Sequence, residues 1–96
     1  MDSISEITRT MRAARALLGI SQEELAGFSG VSRQIVARME RGEENITADS
    51  IVSVRKALEL QGIVFLPSNK DRGPGVAERR PTTPGGAAPR PGSEES

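Results

Sequence analysis

One short segment of the chain carries the side chains with the most specific chemistry. Residues 30–44 read GVSRQIVARMERGEE, and Arg33, Gln34 and Arg38 lie along them at helical spacing. Arginine presents a planar fork of N–H donors that suits guanine, and glutamine can donate to and accept from adenine. The two glutamates that close the segment would instead repel an anionic partner. The segment is therefore either a helix that reads bases or an ordinary charged surface helix.

The composition excludes most catalytic and metal chemistry. The 96 residues include no Cys and no His, which removes disulfides, thiolate ligands and the commonest general base. No acidic cluster has the spacing of a carboxylate metal site. The sequence also lacks a glycine loop of the kind that cradles phosphates. We therefore expect neither an enzyme nor a bound metal or cofactor.

Charge and apolar patterning restrict the partners. The 13 basic and 13 acidic side chains give a net charge of +0, so any contact with DNA must come from a local arrangement of charge. The two aromatic residues, Phe28 and Phe65, are too few for the stacking platforms of single-strand or RNA binding. No apolar run approaches the ~18 residues of a membrane span, and no signal peptide opens the chain. We expect a cytoplasmic protein with no membrane partner.

The composition changes near residue 67. All six prolines and half of the ten glycines lie from there onward, and residues 81–96 contain no large apolar side chain. Such a segment cannot bury enough surface to offset the entropy of ordering it. We therefore expect an ordered domain over residues 3–66, small enough to favour dimerisation, and a Pro/Gly-rich, largely disordered tail over residues 67–96.

The ordered part has the pattern of short helices with clear caps. Capping boxes begin at Ser3 and Ser21, and Ser32 and Thr47 cap two further helices. Glycines follow the apolar stretches and end the helices. The side chains expected to face the core are Ile7, Met11, Ala14, Leu17, Leu18, Leu25, Ile35, Val36, Met39, Ile51, Val52, Val54, Ala57 and Leu58. The pattern predicts an all-α bundle of four to five short helices.

A β-prone run at residues 62–66 follows the last helix and ends at Pro67. Its apolar side chains are Ile63, Val64, Phe65 and Leu66. The run forms either a strand packed on the fourth helix or a dimer element that pairs with its symmetry mate, since a lone strand leaves an unpaired edge. In a third arrangement, residues 75–79 return as a hairpin partner across the loop at residues 68–74.

Residues 22–39 meet the geometric demands of two short helices joined by a tight turn. Ala26 allows a close crossing, Gly30 can adopt a left-handed conformation, and Val31 can fill the space beneath the turn. The positions that carry a family pattern are Gln22, Leu25, Ala26, Gly30, Val31, Val36, Glu40 and Gly42. With these in register, residues 19–43 resemble the lambda-repressor-like (Cro/C1-type, XRE family) helix-turn-helix DNA-binding domain. The resemblance covers about residues 5–62.

The resemblance implies a role for each polar position of this domain. The third helix would lie in the major groove, which agrees with its outward-facing positions. Base contacts are expected from Ser32, Arg33, Gln34 and Arg38. Phosphate contacts are expected from Gln22, Arg12, Arg41 and Asn45. Arg15 and Glu40 occupy positions that form a structural salt bridge in the family.

Two features depart from the family pattern. Ile35 stands where a small polar residue is common, and it either packs or touches a thymine methyl. The exit loop after the third helix, Glu43-Glu44-Asn45, is acidic, whereas the family loop often runs near the phosphate backbone. Two glutamates there should weaken non-specific binding. Alternatively, they point away and leave only the Asn45 and Ile46 amides toward DNA.

The leading interpretation is a sequence-specific, double-stranded DNA-binding transcriptional regulator, a homodimer on an inverted repeat that is nucleoid-associated when bound. The alternatives are an antitoxin that autoregulates its operon and a protein-binding antiactivator that no longer touches DNA. The tail has few apolar side chains with which to wrap a toxin, which argues against the antitoxin. The neutral net charge is compatible with the antiactivator. Glu23 and Glu24 suit the start of a helix, and in some activators of the family such acids contact RNA polymerase.

Overall fold

The computed structural model describes residues 3–80. The elements are α1 (Ile4–Leu18), α2 (Gln22–Ser29), α3 (Arg33–Glu40), α4 (Ala48–Leu60), β1 (Ile63–Leu66) and β2 (Gly75–Glu78). The predicted fold class, an all-α bundle of four to five short helices followed by a short β-strand or hairpin, is confirmed, with four helices and a hairpin among the described residues. The predicted disorder of residues 81–96 lies outside the described residues. None of the helices between residues 3 and 80 has the length and apolar character needed to cross a membrane.

The caps place the helix boundaries. Ser3 and Ser21 form complete capping boxes, and Ser32 and Thr47 accept hydrogen bonds from the third residue of their helices. Gly30 follows α2 with φ +74°, a left-handed conformation that other residues adopt at a steric cost. The turn between α2 and α3 therefore depends on this glycine.

The core is assembled from every helix and from the first strand. Its buried apolar side chains are Met11, Ala14, Leu25, Val36, Met39, Val54, Ala57, Leu58 and Ile63. Leu25, Val36 and Met39 fix α3 against α2. The expectation for Leu17 and Val52 was wrong, since they are 48% and 55% exposed. At about 100° per residue, both fall off the stripe that the buried residues of their helices define.

The hairpin extends the ordered domain beyond residue 66. β1 and β2 pair antiparallel, from Ile63 opposite Glu78 to Leu66 opposite Gly75. Ile63 is buried, and Phe65 and Val76 pack against the core. Of the arrangements that the sequence left open, the structure therefore has the hairpin with residues 75–79. The average composition of the tail gave no sign of it, because backbone pairing requires few apolar side chains. Pairing with β2 provides hydrogen-bond partners for the backbone N–H and C=O groups along one edge of β1.

Candidate nucleic-acid interface

Helix α3 separates an inward face from an outward one. Val36, Met39 and Glu40 are buried, whereas Arg33 and Gln34 at the beginning of the helix are exposed. Because Val36 and Met39 pack into the core, rotation of α3 about its own axis would expose them to water. The fold therefore fixes which side chains α3 presents to a partner.

The residues expected to contact bases lie together on that outward face. Arg33, Gln34, Ile35 and Arg38 line one shallow depression, and Ile35 also packs against the core. Ser32, just before the helix, uses its Oγ to accept a hydrogen bond from the Ile35 N–H at 3.2 Å. Its hydroxyl hydrogen remains available to donate. Ser32 therefore combines the role of a cap with the potential for contact.

A second depression joins α3 to the other two N-terminal helices. Arg12 of α1 and Gln22 of α2 line it together with Arg33 and Arg41. The two depressions share Arg33 and Arg41 and are therefore continuous. We call the surface formed by these side chains the basic face. Its members are Arg12, Gln22, Arg33, Gln34, Arg38 and Arg41.

A charged network lies beneath the basic face. Arg15 donates two hydrogen bonds to Glu40, from Nε to Oε2 at 2.7 Å and from Nη2 to Oε1 at 2.9 Å. The Nη1 of Arg15 donates to the Ile20 carbonyl at 2.9 Å. Gln22 donates from Nε2 to Glu40 Oε1 at 3.0 Å. The network ties α1 to the beginning of α2 and the end of α3, which is the structural pair that the resemblance implied.

Arg15 and Glu40, the two ionisable side chains of the network, are both charged at neutral pH. Burial alone would raise the pKa of Glu40, but hydrogen bonds from Arg15 and Gln22 outweigh it and leave that pKa lowered. The hydrogen bonds between Arg15 and Glu40 act in the opposite direction on Arg15 and raise its pKa. Glu40 also interacts electrostatically with Arg12, so its charge offsets part of the positive charge at that end of the basic face.

The exit loop after α3 folds back onto the basic face. Gly42, with φ +82°, reverses the chain, and Arg38 Nε then donates to Glu43 Oε1 at 2.8 Å. Arg38 Nη2 donates to Asn45 Oδ1 at 2.7 Å, and Arg41 Nη2 donates to Glu43 Oε2 at 2.9 Å. Hydrogen bonds from Arg38 and then Arg41 lower the pKa of Glu43. Glu43 therefore contacts the arginines directly, a role that was not predicted for it.

The spacing contained a signal for this contact. Arg38 and Glu43 are five residues apart with Gly42 between them, and a reversal at such a glycine returns the chain to the last turn of the helix. From the sequence, the two glutamates were expected either to repel DNA or to point away from it, and a contact with the arginines was not considered. Glu44 is exposed and has no salt bridge among the described residues, so repulsion still applies to that side chain.

The sequence profile of the helix-turn-helix family matches residues 11–62, more than half of the chain. The chain belongs to this helix-turn-helix family. The predicted Cro/C1-type domain is therefore confirmed. In helix-turn-helix terms, α2 is the first helix of the motif, the turn contains Gly30, and α3 is the second helix.

Curated relatives and a solved structure are consistent with the family assignment. The chain is 39% identical to the uncharacterized HTH-type transcriptional regulator y4dL of Sinorhizobium fredii over 61 residues. The matched residues make up 64% of this chain and 31% of that protein. This chain is also 34% identical to control protein C.SmaI of Serratia marcescens over 58 residues, and this match covers 60% of this chain and 69% of that protein. The chain therefore spans about a third of the first relative's length.

The solved structure is a tyrosine-to-phenylalanine mutant of the restriction-modification controller protein C.Esp1396I. It superposes with a TM-score of 0.54 at 31% sequence identity, over 62% of this chain and 77% of that chain. The likeness supports both the order of the helices and the helix-turn-helix at their centre.

The structure brings most of the candidate helix-turn-helix residues together. The basic face includes three of the base-contact candidates and three of the phosphate-contact candidates. Gln22 donates one amide hydrogen to Glu40, which leaves its second amide hydrogen for the predicted phosphate contact. Asn45 is the remaining phosphate candidate and accepts from Arg38, which leaves its amide N–H groups as donors.

Proposed function

We propose that the chain is a transcriptional regulator that binds double-stranded DNA by sequence, with α3 in the major groove. The observation that carries the proposal is the basic face, which gathers four arginines on the outward side of the helix-turn-helix in a chain of net charge +0. The relatives named as a transcriptional regulator and as control proteins support a regulatory role.

Base reading would come from the exposed beginning of α3. In the docking geometry of a helix-turn-helix, the N-terminal residues of the second helix contact base edges. Arg33 suits the O6 and N7 of guanine, Gln34 suits the N6 and N7 of adenine, and Arg38 lies one turn further along. A good bidentate pair contributes about 1–3 kcal/mol of discrimination against the wrong base.

Phosphate contacts would flank this reading surface. Arg12 on α1 and Arg41 at the end of α3 both line the second depression, and Gln22 and Asn45 retain amide donors. Contacts of this kind fix the register of the protein on the duplex without reading sequence. They also make the affinity fall with salt, by a log–log slope of about 0.9 for each neutralised phosphate.

We further propose a homodimer on an inverted-repeat operator. β2 occupies one edge of β1, and Ile63 lies in the core. A dimer through the predicted strand Ile63–Leu66 would therefore have to form along the other edge of β1. Val52 and Leu60 of α4 offer another route, since they are 55% and 86% exposed and lie on one side of the helix, eight residues apart with the exposed Lys56 between them. A second copy of the chain would cover these two side chains.

Selection of bound sequences from random duplexes tests base reading. Arg33→Ala and Gln34→Ala should each relax the preference at particular base pairs, whereas Gln22→Ala should weaken binding evenly across sequences. Identical sequence profiles for the wild type and Arg33→Ala would contradict base reading by α3. Absence of salt-dependent DNA binding would instead favour the protein-binding antiactivator.

Sedimentation of charged variants tests the dimer. Val52→Glu and Leu60→Glu should shift the protein toward the monomer, because an unpaired carboxylate would be desolvated at the interface. Leu17→Glu provides a matched control, since Leu17 is 48% exposed on a different helix. Equal behaviour of the three variants would refute the α4 interface.

A further inference from the structure

Arg38 is held in a defined orientation before any DNA is bound. Its Nε donates to Glu43 at 2.8 Å and its Nη2 donates to Asn45 at 2.7 Å. Glu43 is held in turn, because Arg41 donates to its other oxygen from Nη2 at 2.9 Å and from Nε at 3.2 Å. Arg33, by contrast, is exposed, and its side chain makes no hydrogen bond within residues 3–80.

The two partners of Arg38 leave one nitrogen of its guanidinium without a hydrogen bond. The planar group has a side edge, formed by Nε–H and one Nη2–H, and an end edge, formed by Nη1–H and the other Nη2–H. Glu43 accepts from the side edge through Nε, and Asn45 accepts from Nη2. The Nη1 of Arg38 makes no hydrogen bond within residues 3–80, so its N–H on the end edge can donate to guanine O6 or N7.

We propose that Glu43 is a specificity-determining positioning residue, which with Asn45 holds Arg38 so that its end edge faces the bases. The inference rests on the proposed function, since it assumes that α3 lies in the major groove. Glu43 itself need not touch DNA. Because Arg38 is already ordered, less side-chain entropy is lost when it pairs with a base.

Glu43 also limits contact with the wrong sequence. Its carboxylate accepts hydrogen bonds from both Arg38 and Arg41, and those bonds compete with phosphate oxygens of the backbone. A lowered pKa keeps the carboxylate ionised and the competition in force at neutral pH. Non-specific binding would then be weakened, whereas a cognate guanine could still pair with the end edge of Arg38. Both effects raise specificity.

The chain offers a closely matched comparison for a test. Glu43→Gln and Glu44→Gln remove the same charge from adjacent positions of one loop, but Glu44 has no salt bridge among the described residues. Arg38→Ala identifies the base pair that Arg38 reads. Asn45→Ala removes the second partner of Arg38 and leaves the charge unchanged. Glu43 lies in a partly exposed loop, so thermal melting should show that each variant remains folded.

Selection from random duplexes should separate the variants. Glu43→Gln should reduce discrimination about five- to tenfold at the base pair that Arg38→Ala identifies, since only part of a bidentate pair is lost. Asn45→Ala should reduce it in the same direction, and Glu44→Gln should leave it unchanged. On non-cognate DNA, the salt slope of Glu43→Gln should steepen by about one unit as an arginine is released to phosphate.

Two results would contradict the proposal in distinguishable ways. Equal profiles for Glu43→Gln and Glu44→Gln would show that the loop acts through net charge alone and would overturn the positioning role. A wild type that enriches no sequence at all would overturn the proposed function itself, and the inference with it.

Discussion

Replacement of Arg15 by alanine should destabilise the fold more than it weakens DNA binding. The change removes the two hydrogen bonds to Glu40 at 2.7 and 2.9 Å and the bond to the Ile20 carbonyl at 2.9 Å. Glu40, whose side chain is only 5% exposed, would keep a single hydrogen bond, from Gln22. A buried carboxylate would therefore be left without its counter-ion.

The cost follows from the burial of the pair. Removal of one partner of a buried ion pair costs about 3–5 kcal/mol. The side chain of Arg15 is 21% exposed, which admits some water, so we expect the lower end of that range, about 3 kcal/mol. For a domain of this size, about 1 kcal/mol shifts the melting temperature by roughly 4–8 °C. The melting temperature should therefore fall by roughly 10–25 °C.

Chemical and thermal unfolding measure this loss, and Arg55→Ala provides the control. Arg55 pairs with Glu59 at 3.2 Å on the surface of α4 and lies over the Phe65 ring at 4.8 Å, contacts that together contribute roughly 1–1.5 kcal/mol. At a temperature where Arg15→Ala is folded, its DNA affinity should change by less than about tenfold. Unchanged melting with lost binding would refute the reasoning and make Arg15 a DNA contact.

The pH and backbone predictions use the same unfolding assay. The pKa of Glu40 is lowered by folding, so its contribution is present above the unfolded value of about 4.3 and lost as pH falls through the folded value. Glu40→Gln should therefore flatten the acid limb of the stability profile, and an unchanged limb would contradict the assignment. Gly30→Ala should cost about 1–2 kcal/mol through its positive φ alone, because its Cβ would meet nothing within 4 Å. Gly27→Ala, inside α2 and equally unobstructed, should instead stabilise by up to ~1 kcal/mol. Equal effects of the two alanines would refute the turn argument.

Local sequence rules accounted for the helices and for most of the core. Each of the four helices is capped as predicted, by Ser3, Ser21, Ser32 or Thr47. The caps were predictable because the side-chain oxygen accepts a hydrogen bond from a backbone N–H only three residues further along the chain. Leu25, Val36 and Met39 are buried as their spacing indicated. Val52 was assigned to the core because it is apolar, and a count of apolar residues does not register which stripe of α4 a side chain occupies.

Long-range pairing was harder to derive from the sequence. The hairpin was one of several arrangements, since β-propensity at Ile63–Leu66 does not specify a partner for the strand. The contact between Arg38 and Glu43 depends on the angle at which Gly42 reverses the chain. The sequence supplied the charges but not their geometry, and the glutamate was therefore read as a source of repulsion.

The measurement that tests the central claim most directly is selection of bound duplexes by the wild-type protein, with the mass of the complex determined alongside. The account predicts an enriched inverted repeat whose half-sites are centred about 10–10.5 base pairs, or a multiple of that, apart. It also predicts two chains on each duplex and an affinity that falls as salt is added. No enrichment over the starting library, or binding that is indifferent to salt, would contradict the assignment of the basic face to DNA.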